Sequence, residues 1–401
     1  MKTAAIIAEY NPFHNGHKLH IEKTRELGAT HIIALMSGNV VQRGDVALCH
    51  KAARAAAAVE SGADLVLELP AVYAGASAER FADGAVRILD ALGIVDILSF
   101  GSECGDTEKL TAAARFALSE NYMANVKLYL RATGVSFPAA QEMAYMREPT
   151  VGFIPSPNDT LGIEYCKALQ RHGSTIVPSA VLRRFAGHDT DEVSEGVASA
   201  SHIRELVLKG QLDGLSGLMP ESSLYGLLRE MSEGRAPARL SKGEAAVLLG
   251  LRKMTKERLL EIPDVTEGME HRMMAAVRSA RSIEHLFDSL KTKRYTMSRV
   301  RRMVVAGLTG VKKADFELPV PYVHVLAFGP GGEELLKQMK GRCSLPVSTS
   351  LKELQDTSPA ARRFAEIEVR ATDLFGVCTP RILASGEDYT TPAYIKKQVA
   401  F

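Results

Sequence analysis

Three histidines crowd one short segment near the N-terminus. His14, His17 and His20 stand three residues apart within residues 9–20, which read EYNPFHNGHKLH. The segment follows an apolar run and precedes a helical pattern, and Gly16 allows close backbone approach at the helix start. The first amides of a helix and its dipole attract anions, and imidazole N–H groups donate hydrogen bonds to phosphate oxygens. The spacing therefore predicts a phosphate-binding turn in which His14 and His17 are the donors.

The same histidines admit two other interpretations. A His-x-x-His-x-x-His pattern could bind zinc or a similar metal, although steps of three drift around a helix and no acidic partner is evident nearby. His14 and His17 could also be structural residues of the core. We expect no bound metal, and we expect His20 to line or flank the pocket without acting on a substrate.

A second phosphate-binding pattern lies near residue 200, in the stretch ASASHIRE. Ser199 and Ser201 can cap a helix and donate hydroxyl hydrogen bonds, while Arg204 can form bidentate contacts with phosphate oxygens. The alternative is an ordinary capped helix with a surface arginine.

Strands alternating with helices must position these residues. The apolar run at residues 4–8 and the stretches HIIALMSG, DLVLELP, VDILSFGSE and STIVPSA read as buried strands, with helical patterns between them. This alternation predicts βαβ units and a parallel sheet. We therefore expect a doubly wound, Rossmann-like α/β domain over residues 1–215. Its first strand-to-helix turn, the usual phosphate site of such folds, holds His14 and His17.

The remainder of the chain has a different pattern. Residues 216–315 read as helices without strands, which predicts a helical domain. The stretch FELPVPYVHVLAFGPGGEELLKQMKG then returns to strand, glycine turn and helix. We expect residues 316–401 to form a small C-terminal α/β module.

Composition narrows the class of protein. The 401 residues carry a net charge of only +2, so a nucleic-acid partner would need a local basic surface. Five scattered cysteines without a Cys-x-x-Cys pair argue against a disulfide framework and a thiolate zinc site. No apolar run approaches the roughly 20 residues that span a bilayer, and the start MKTAAIIAEYNPFHN does not read as a signal peptide. We expect a soluble cytoplasmic protein without a membrane partner.

One segment supplies such a basic surface. Residues 289–313 contain basic residues and no acidic one. Tyr295 among them could stack on an unpaired base, as in proteins that read single-stranded RNA. The alternative is a solvated helix face. The basic residues are Lys291, Lys293, Arg294, Arg299, Arg301, Arg302, Lys312 and Lys313.

Two motifs resemble those of a known superfamily. His-x-Gly-His after a first strand resembles the nucleotide-binding signature of adenylyltransferases and class I tRNA synthetases, and Ser-x-Ser-x-x-Arg resembles their late Ser-x-Thr-x-x-Arg element. A closer resemblance covers nearly the whole chain. The strings EYNPFHNGH, MSGNVVQRGD, LELP, FGSE, PNDTLGIEY, RRFAGHD and KRYTMSRVRRM are similar to those of the bacterial tRNA(Met) cytidine acetate ligases.

The resemblance implies a HUP-type nucleotidyltransferase fold and a particular reaction. ATP and acetate would form acetyl-adenylate and diphosphate, and the acetyl group would pass to N4 of the wobble cytidine of elongator tRNA(Met), giving N4-acetylcytidine. ATP is then a co-substrate with Mg2+ on its phosphates, and no tightly bound metal or organic cofactor is expected. His14 and His17 would stabilise charge on the phosphates, and no covalent enzyme intermediate is needed.

The basic segment described above supplies the expected tRNA-binding residues: Lys291, Lys293, Arg294, Tyr295, Arg299, Arg301 and Arg302. The resemblance implies the residues that bind ATP. The ATP contacts would be Ile7, Ala8, Glu9, Tyr10, Asn11, Pro12, Phe13, His14, Asn15, Gly16, His17, Lys18, Leu19, His20, Gly101, Asn158, Arg183, Arg184, Ser201 and Arg204.

Physical alternatives remain for several of these residues. Asn158 could be only a helix N-cap, and Arg183 and Arg184 could be solvated loop charges. For the acetate or the target base, the loop after the second strand offers three candidates: Asn39, Gln42 and Arg43.

Two alternative functions stay open. One is a nucleotidyltransferase that joins AMP to a small phosphate ester, and the other is a non-catalytic RNA-binding protein that senses ATP. The sequence leaves the oligomeric state open.

Overall fold

The computed structural model describes residues 1–135, 137–183, 196, 198–266, 268–292 and 295–397. The strands are β1 (Thr3–Ala8), β2 (His31–Ser37), β3 (Val40–Val41), β4 (Asp45–Val46), β5 (Leu65–Leu69), β6 (Ile97–Ser102), β7 (Val177–Leu182), β8 (Val323–Phe328), β9 (Val347–Ser348) and β10 (Tyr394–Ile395). The helices of the first half are α1 (Asn15–Glu26), α2 (Lys51–Glu60), α3 (Ala71–Ala74), α4 (Ala78–Leu92), α5 (Thr107–Leu118), α6 (Glu120–Thr133), α7 (Phe137–Arg147) and α8 (Pro157–His172). Those of the second half are α9 (Ala200–Leu208), α10 (Glu221–Ser232), α11 (Glu244–Arg252), α12 (Lys256–Glu261), α13 (Met269–Ser279), α14 (Ile283–Leu290), α15 (Met297–Thr309), α16 (Pro330–Met339), α17 (Leu351–Leu354) and α18 (Pro359–Val377).

The main sheet has the strand order β10-β8-β5-β2-β1-β6-β7, with β9 paired to β8. β1 pairs in parallel with β2 on one side and with β6 on the other. The chain thus turns outward in both directions from β1, and the carboxyl end of β1 is the topological switch point where ligands bind in such sheets. The expected doubly wound α/β fold is confirmed.

Helices cover both faces of this sheet because its strands carry apolar side chains on both faces. Ile6 packs with Ile21 of α1 and with the alanines of α2. Its neighbour Ala5 belongs to the opposite core, which includes Phe81 of α4 and Ile163 of α8. This burial fixes the strand register and so the place where each strand ends.

The segment that follows the parallel strands is helical. Among the described residues of 216–315, helices α10 to α15 form without a strand. A separate small core joins α9 and α10 to the loop before α2, through Ile203, Leu227 and Leu48. No helix in the described part of the chain is long and apolar enough to cross a membrane.

The C-terminal segment differs from the expectation of a separate module. β8 pairs antiparallel with β5, and β10 pairs in parallel with β8, so strands of the C-terminal segment complete the N-terminal sheet. The physical reason is the apolar sequence VHVLAF, which is buried and covers the edge of β5 that would otherwise be open. Helix α18 packs against α15 and α3.

Candidate active site

The turn between β1 and α1 orients two imidazole rings. His14 is the N-cap of α1, and its Nδ1 accepts a hydrogen bond of 3.1 Å from the Gly16 backbone N–H. The Nδ1 of His17 accepts from the backbone N–H of His14 at 3.2 Å. Because both Nδ1 atoms are acceptors, each neutral ring carries its proton on Nε2. The turn therefore provides two Nε2–H donors, with ring centroids 3.8 Å apart.

Burial keeps these rings neutral. Burial, together with the positive charges of Arg183 and Arg204, lowers the pKa of His14 to about 3. Burial also lowers the pKa of His17, with contributions from His14, Arg183 and His20. The histidines would thus meet phosphate as neutral hydrogen-bond donors, and the positive charge of the site comes from arginines.

His20 has a different partner. Its Nε2 lies 3.0 Å from Ser99 Oγ in β6, and Ser99 Oγ lies 2.8 Å from Thr24 Oγ1. Burial lowers the pKa of His20 to about 4. His20 thus links α1 to β6 beside the turn. In the described residues, no group of three or more His, Cys, Asp or Glu side chains is placed to hold a metal ion.

The late arginine lies against the same turn. Arg204 of α9 donates from Nη1 to the Asn11 carbonyl at 2.8 Å and from Nη2 to Ser201 Oγ at 2.9 Å. Ser199 is the N-cap of α9 and accepts from the His202 N–H. The structure therefore brings together two predicted phosphate-binding motifs that lie almost 200 residues apart in the sequence.

Hydrogen bonds to backbone carbonyls also hold this turn against the helical segment. Asn15 Nδ2 donates to the Gly217 carbonyl at 2.7 Å, and the Asn15 N–H donates to the Leu218 carbonyl at 3.0 Å. Ser223 Oγ donates to the Phe13 carbonyl at 2.7 Å. The turn thus takes its conformation from residues of α10 and of the loop before it.

Sequence reasoning missed Arg54, a fully buried arginine of α2. Its Nε donates to the Cys49 carbonyl at 3.1 Å, and its Nη groups donate to the carbonyls of Glu9, Ser37 and Gly38. The carbonyls of Glu9, Ser37 and Gly38 end or follow β1 and β2, so one guanidinium fixes the strand ends that frame the site. The sequence feature that could have revealed it is a single arginine on the apolar face of an alanine-rich helix.

The other side of the site is built from β6 and α8. A Cβ on Gly101 would lie 3.0 Å from Arg183 Cδ, so the missing side chain gives the arginine its room. The N-cap of α8 is Ser156, not Asn158, so the N-cap alternative for Asn158 is wrong. Asn158 Nδ2 instead donates to Glu103, a second residue that sequence reasoning missed. Arg184 lies outside the described residues.

One of the three candidates for the acetate or base pocket is placed elsewhere. Asn39 is 1% exposed, and both ends of its amide are used, by the Lys51 N–H and by Thr372 Oγ1. The proposal for Asn39 is therefore wrong, because a strand-end loop packs its first residues inward. Gln42 remains beside the site, since its N–H donates to Glu9 Oε1 at 2.8 Å, and Arg43 is exposed.

The expectation for Tyr295 is also wrong. Its side chain is buried, its hydroxyl is hydrogen bonded to Thr266, and its ring lies under the Arg299 guanidinium at 4.5 Å. It therefore packs inside the helical segment and presents no face to a base. Lys293 and Arg294 lie outside the described residues.

The other basic residues of this segment are only partly available to bind RNA, because several of them are paired within the protein. Arg299 donates to the Asp264 carbonyl at 2.9 Å, and Arg302 Nε lies 3.6 Å from an Asp264 carboxylate oxygen. Lys313 donates to two backbone carbonyls, and Lys312 pairs with Glu261 at 3.0 Å. Lys291 is exposed.

Helix α15 nevertheless reaches the site through the β3–β4 hairpin. Gly44 has a φ of +76°, and a Cβ there would lie 2.3 Å from the Arg302 backbone nitrogen. Burial raises the pKa of Asp45, and the charges of Arg301 and Arg204 oppose that rise. The hairpin thus lies between Arg204, beside the turn that joins β1 to α1, and Arg301 of α15.

These features define a nucleotide-binding turn of the HIGH type, and the model of the HIGH Nucleotidyl Transferase family matches residues 1–388. The chain belongs to this family. Curated relatives name a narrower group within it. The chain is 38% identical to the tRNA(Met) cytidine acetate ligase of Acetivibrio thermocellus, over 97% of this chain and 99% of the relative. It is 33% identical to the protein of the same name from Alkaliphilus metalliredigens, over 100% of both chains.

Solved structures give the same result. The crystal structure of Thermotoga maritima TmcAL bound with alpha-thio ATP has a TM-score of 0.89 and 31% identity, covering 99% of this chain and 100% of that one. The apo form of the Thermotoga maritima protein has a TM-score of 0.91 at the same identity.

Proposed function

We propose that this protein is an ATP-dependent ligase that acetylates N4 of the wobble cytidine of elongator tRNA(Met). One observation carries the proposal: two neutral imidazole donors and Arg204 converge on the N-terminus of α1 at the switch point of the sheet. The relatives named tRNA(Met) cytidine acetate ligase and the structural neighbour bound with alpha-thio ATP support it.

In the first step, an acetate oxygen attacks the α-phosphorus of ATP, and diphosphate leaves. His14 and His17 donate from Nε2 to phosphate oxygens as charge moves onto the leaving group, while Arg204 supplies positive charge from α9. ATP would carry Mg2+ on its phosphates, since this ion takes phosphate oxygens as ligands, and the ion would neutralise part of the phosphate charge.

In the second step, the cytidine N4 amine attacks the carbonyl of acetyl-adenylate, and AMP leaves. The anhydride is reactive, so the amine needs no covalent help from the protein. The RNA approaches across the surface formed by the β3–β4 hairpin and the adjoining α15, where Arg43 is exposed and Arg301 lies near Asp45. Residues 216–315 then act as the tRNA-binding part, and residues 1–215 hold most of the ATP contacts.

The direct test supplies ATP, labelled acetate and elongator tRNA(Met) and measures N4-acetylcytidine after digestion of the RNA. We expect acetylcytidine and AMP in equal amounts, and neither product from an Arg204→Ala variant at a comparable rate. AMP release driven by a small phosphate ester, without acetyl transfer to RNA, would replace this proposal with the nucleotidyltransferase alternative.

A further inference from the structure

Glu103 stands between the end of β6 and the start of α8 and contacts both. One carboxylate oxygen accepts a hydrogen bond from Asn158 Nδ2, and the other accepts from Ser156 Oγ. Arg183 Nε lies 3.8 Å from the first of these oxygens. Glu103 thus touches two of the residues that the sequence assigned to ATP, although the motif itself pointed only to Gly101.

The backbone around Glu103 is held independently of its side chain. Ser102 Oγ donates to Asp159 Oδ1 at 2.6 Å, and the Cys104 N–H donates to the same oxygen at 3.1 Å. The Ser156 N–H donates to Asp159 Oδ2 at 3.1 Å. Asp159 therefore fastens the turn at residues 102–104 to the first turn of α8, and a change at Glu103 leaves this fastening in place.

The contact with Glu103 decides which end of the Asn158 amide faces outward. A carboxylate only accepts hydrogen bonds, so the amide must present its NH2 group to Glu103. The carbonyl Oδ1 is then the opposite end. A neutral partner at residue 103 would both donate and accept, and the amide would lose its single orientation.

The charges also decide which half of a nucleotide lies here. The carboxylates of Glu103 and Asp159 occupy the N-terminus of α8, where they would repel phosphate. The first turn of α1 carries no acidic residue, and Arg204 lies beside it. The phosphates therefore belong at α1, and the nucleoside half belongs at Gly101, Glu103 and Asn158.

We propose that Glu103 is a positioning residue for nucleotide selection: it fixes Asn158 so that Oδ1 accepts from an N–H or O–H donor on the nucleoside. The donor is the exocyclic amine of adenine or a ribose hydroxyl, and both share this chemistry. The inference rests on the proposed function only in that ATP is the nucleotide bound.

The test is a binding titration of the full chain without acetate or tRNA. Dissociation constants are measured calorimetrically with Mg2+ for ATP, inosine triphosphate, 2′-deoxy-ATP and 3′-deoxy-ATP. Inosine triphosphate replaces the amine by a carbonyl, and each deoxynucleotide lacks one hydroxyl. The variants are Glu103→Gln, Asn158→Leu and the control Glu108→Gln, which changes an exposed glutamate in the first turn of α5.

We expect the wild type to prefer ATP by about tenfold or more over the analogue that lacks the recognised donor. Glu103→Gln and Asn158→Leu should reduce that preference to about threefold or less, and Glu108→Gln should keep it. Loss against inosine triphosphate identifies the amine as the donor, and loss against a deoxynucleotide identifies the hydroxyl. Thermal unfolding of each variant checks that the fold is intact.

Three outcomes overturn the inference. One is equal weakening of all four nucleotides by Glu103→Gln. Another is an unchanged preference in a folded Glu103→Gln protein. The third is loss of the preference in Asn158→Leu but not in Glu103→Gln, which would show that Asn158 selects the nucleotide without help from Glu103. Selective ATP binding without acetylcytidine formation would instead refute the proposed function and leave this inference standing.

Discussion

At the scale of single residues, the role proposed for the histidines of the turn depends on hydrogen bonds rather than on charge. Their Nδ1 atoms are occupied by backbone N–H groups, and burial lowers their pKa values. This arrangement suits a reaction in which negative charge shifts between phosphate oxygens without proton transfer to the protein.

His17→Ala should therefore lower the rate of acetate-dependent exchange between ATP and diphosphate by about 10²- to 10³-fold, as for other preorganised donors. The change affects the chemical step, so the KM for ATP should move much less than kcat. A suitable control is His172→Ala, at the far end of α8, where the ring pairs with Asp83 at 2.8 Å. A rate within threefold of the wild type for His17→Ala would show that the ring is structural.

Arg54→Lys should lower the free energy of unfolding by about 3 kcal/mol, because an ammonium cannot reach all four carbonyls that the guanidinium satisfies and leaves some buried without a donor. Urea unfolding measures this value. Arg115→Lys, on an exposed position of α5, should change it by about 0.5 kcal/mol or less. Similar values for both variants would contradict the role of Arg54 in fixing the strand ends.

At the scale of elements, two helices begin at a buried histidine. His14 caps α1, and His50 caps α2 by accepting from the Ala52 N–H at 3.2 Å. Burial, together with the charges of Lys51 and Arg54, lowers the pKa of His50 to about 3. Protonation of either cap would remove its acceptor and place a charge in the interior.

Stability should fall when the pH is lowered from about 6.5. Below that value the unfolded chain binds protons at both histidines while the folded chain does not, so acid favours unfolding until the folded pKa values are reached. Each ring contributes a slope of up to about 1.4 kcal/mol per pH unit. Urea unfolding at pH 7 and pH 5.5 measures this loss, and His50→Asn, which keeps a capping acceptor, should reduce it. If His50→Asn loses as much stability between pH 7 and pH 5.5 as the wild type, His50 does not contribute to the loss.

The β3–β4 hairpin depends on the absence of a side chain at Gly44. Gly44→Ala should destabilise the protein by about 3 kcal/mol, since the new Cβ meets the backbone of α15 and the φ of +76° disfavours alanine. Gly134→Ala is a matched control, with a φ of +66° and nothing within 4 Å of the added Cβ. It should cost about 1 kcal/mol. Equal losses, measured by urea unfolding, would mean that the contact with α15 is unimportant.

Much of this architecture was readable from the sequence because it depends on local patterns. Apolar runs predicted the parallel strands, and the pattern of residues 9–20 predicted that His14 and His17 lie together at the start of α1. Asn39 and Tyr295 were misplaced because burial of a polar side chain depends on distant partners, Thr372 and Thr266, that no local pattern reveals. Arg54 and Glu103 were missed for the same reason. Their partners are backbone carbonyls and an amide brought near only by the fold.

At the scale of the whole molecule, a buried ionic cluster joins the N-terminal part of the sheet to the C-terminal segment. Lys51 of α2 lies 2.6 Å from Glu68 of β5 and 2.5 Å from Asp388 near the C-terminus. His324 of β8 contacts the other oxygen of Glu68 at 2.6 Å. Burial and the nearby Glu68 raise the pKa of Glu368 beside this cluster. The cluster thus adds buried ion pairs to the strand pairing that joins the C-terminal segment to the main sheet.

Lys51→Met should remove about 3 to 5 kcal/mol of stability, because it leaves two carboxylates buried without their cation. Calorimetry should still show one unfolding transition, at a lower temperature, since both ends of the chain share one core. Lys337→Met, on an exposed position of α16, should leave the transition temperature nearly unchanged. A separate, unaltered second transition in Lys51→Met would show that the C-terminal segment unfolds independently.

The pairing of β8 with β5 has a consequence for synthesis on the ribosome. β5 ends at Leu69 and β8 begins at Val323, so the edge of β5 waits on the order of tens of seconds for its partner at ordinary elongation rates. During that interval the nascent chain exposes an apolar strand edge that can pair with other chains. Products truncated before β8 should aggregate, and bound chaperones should be richest on ribosomes that have passed β5 and not yet translated β8.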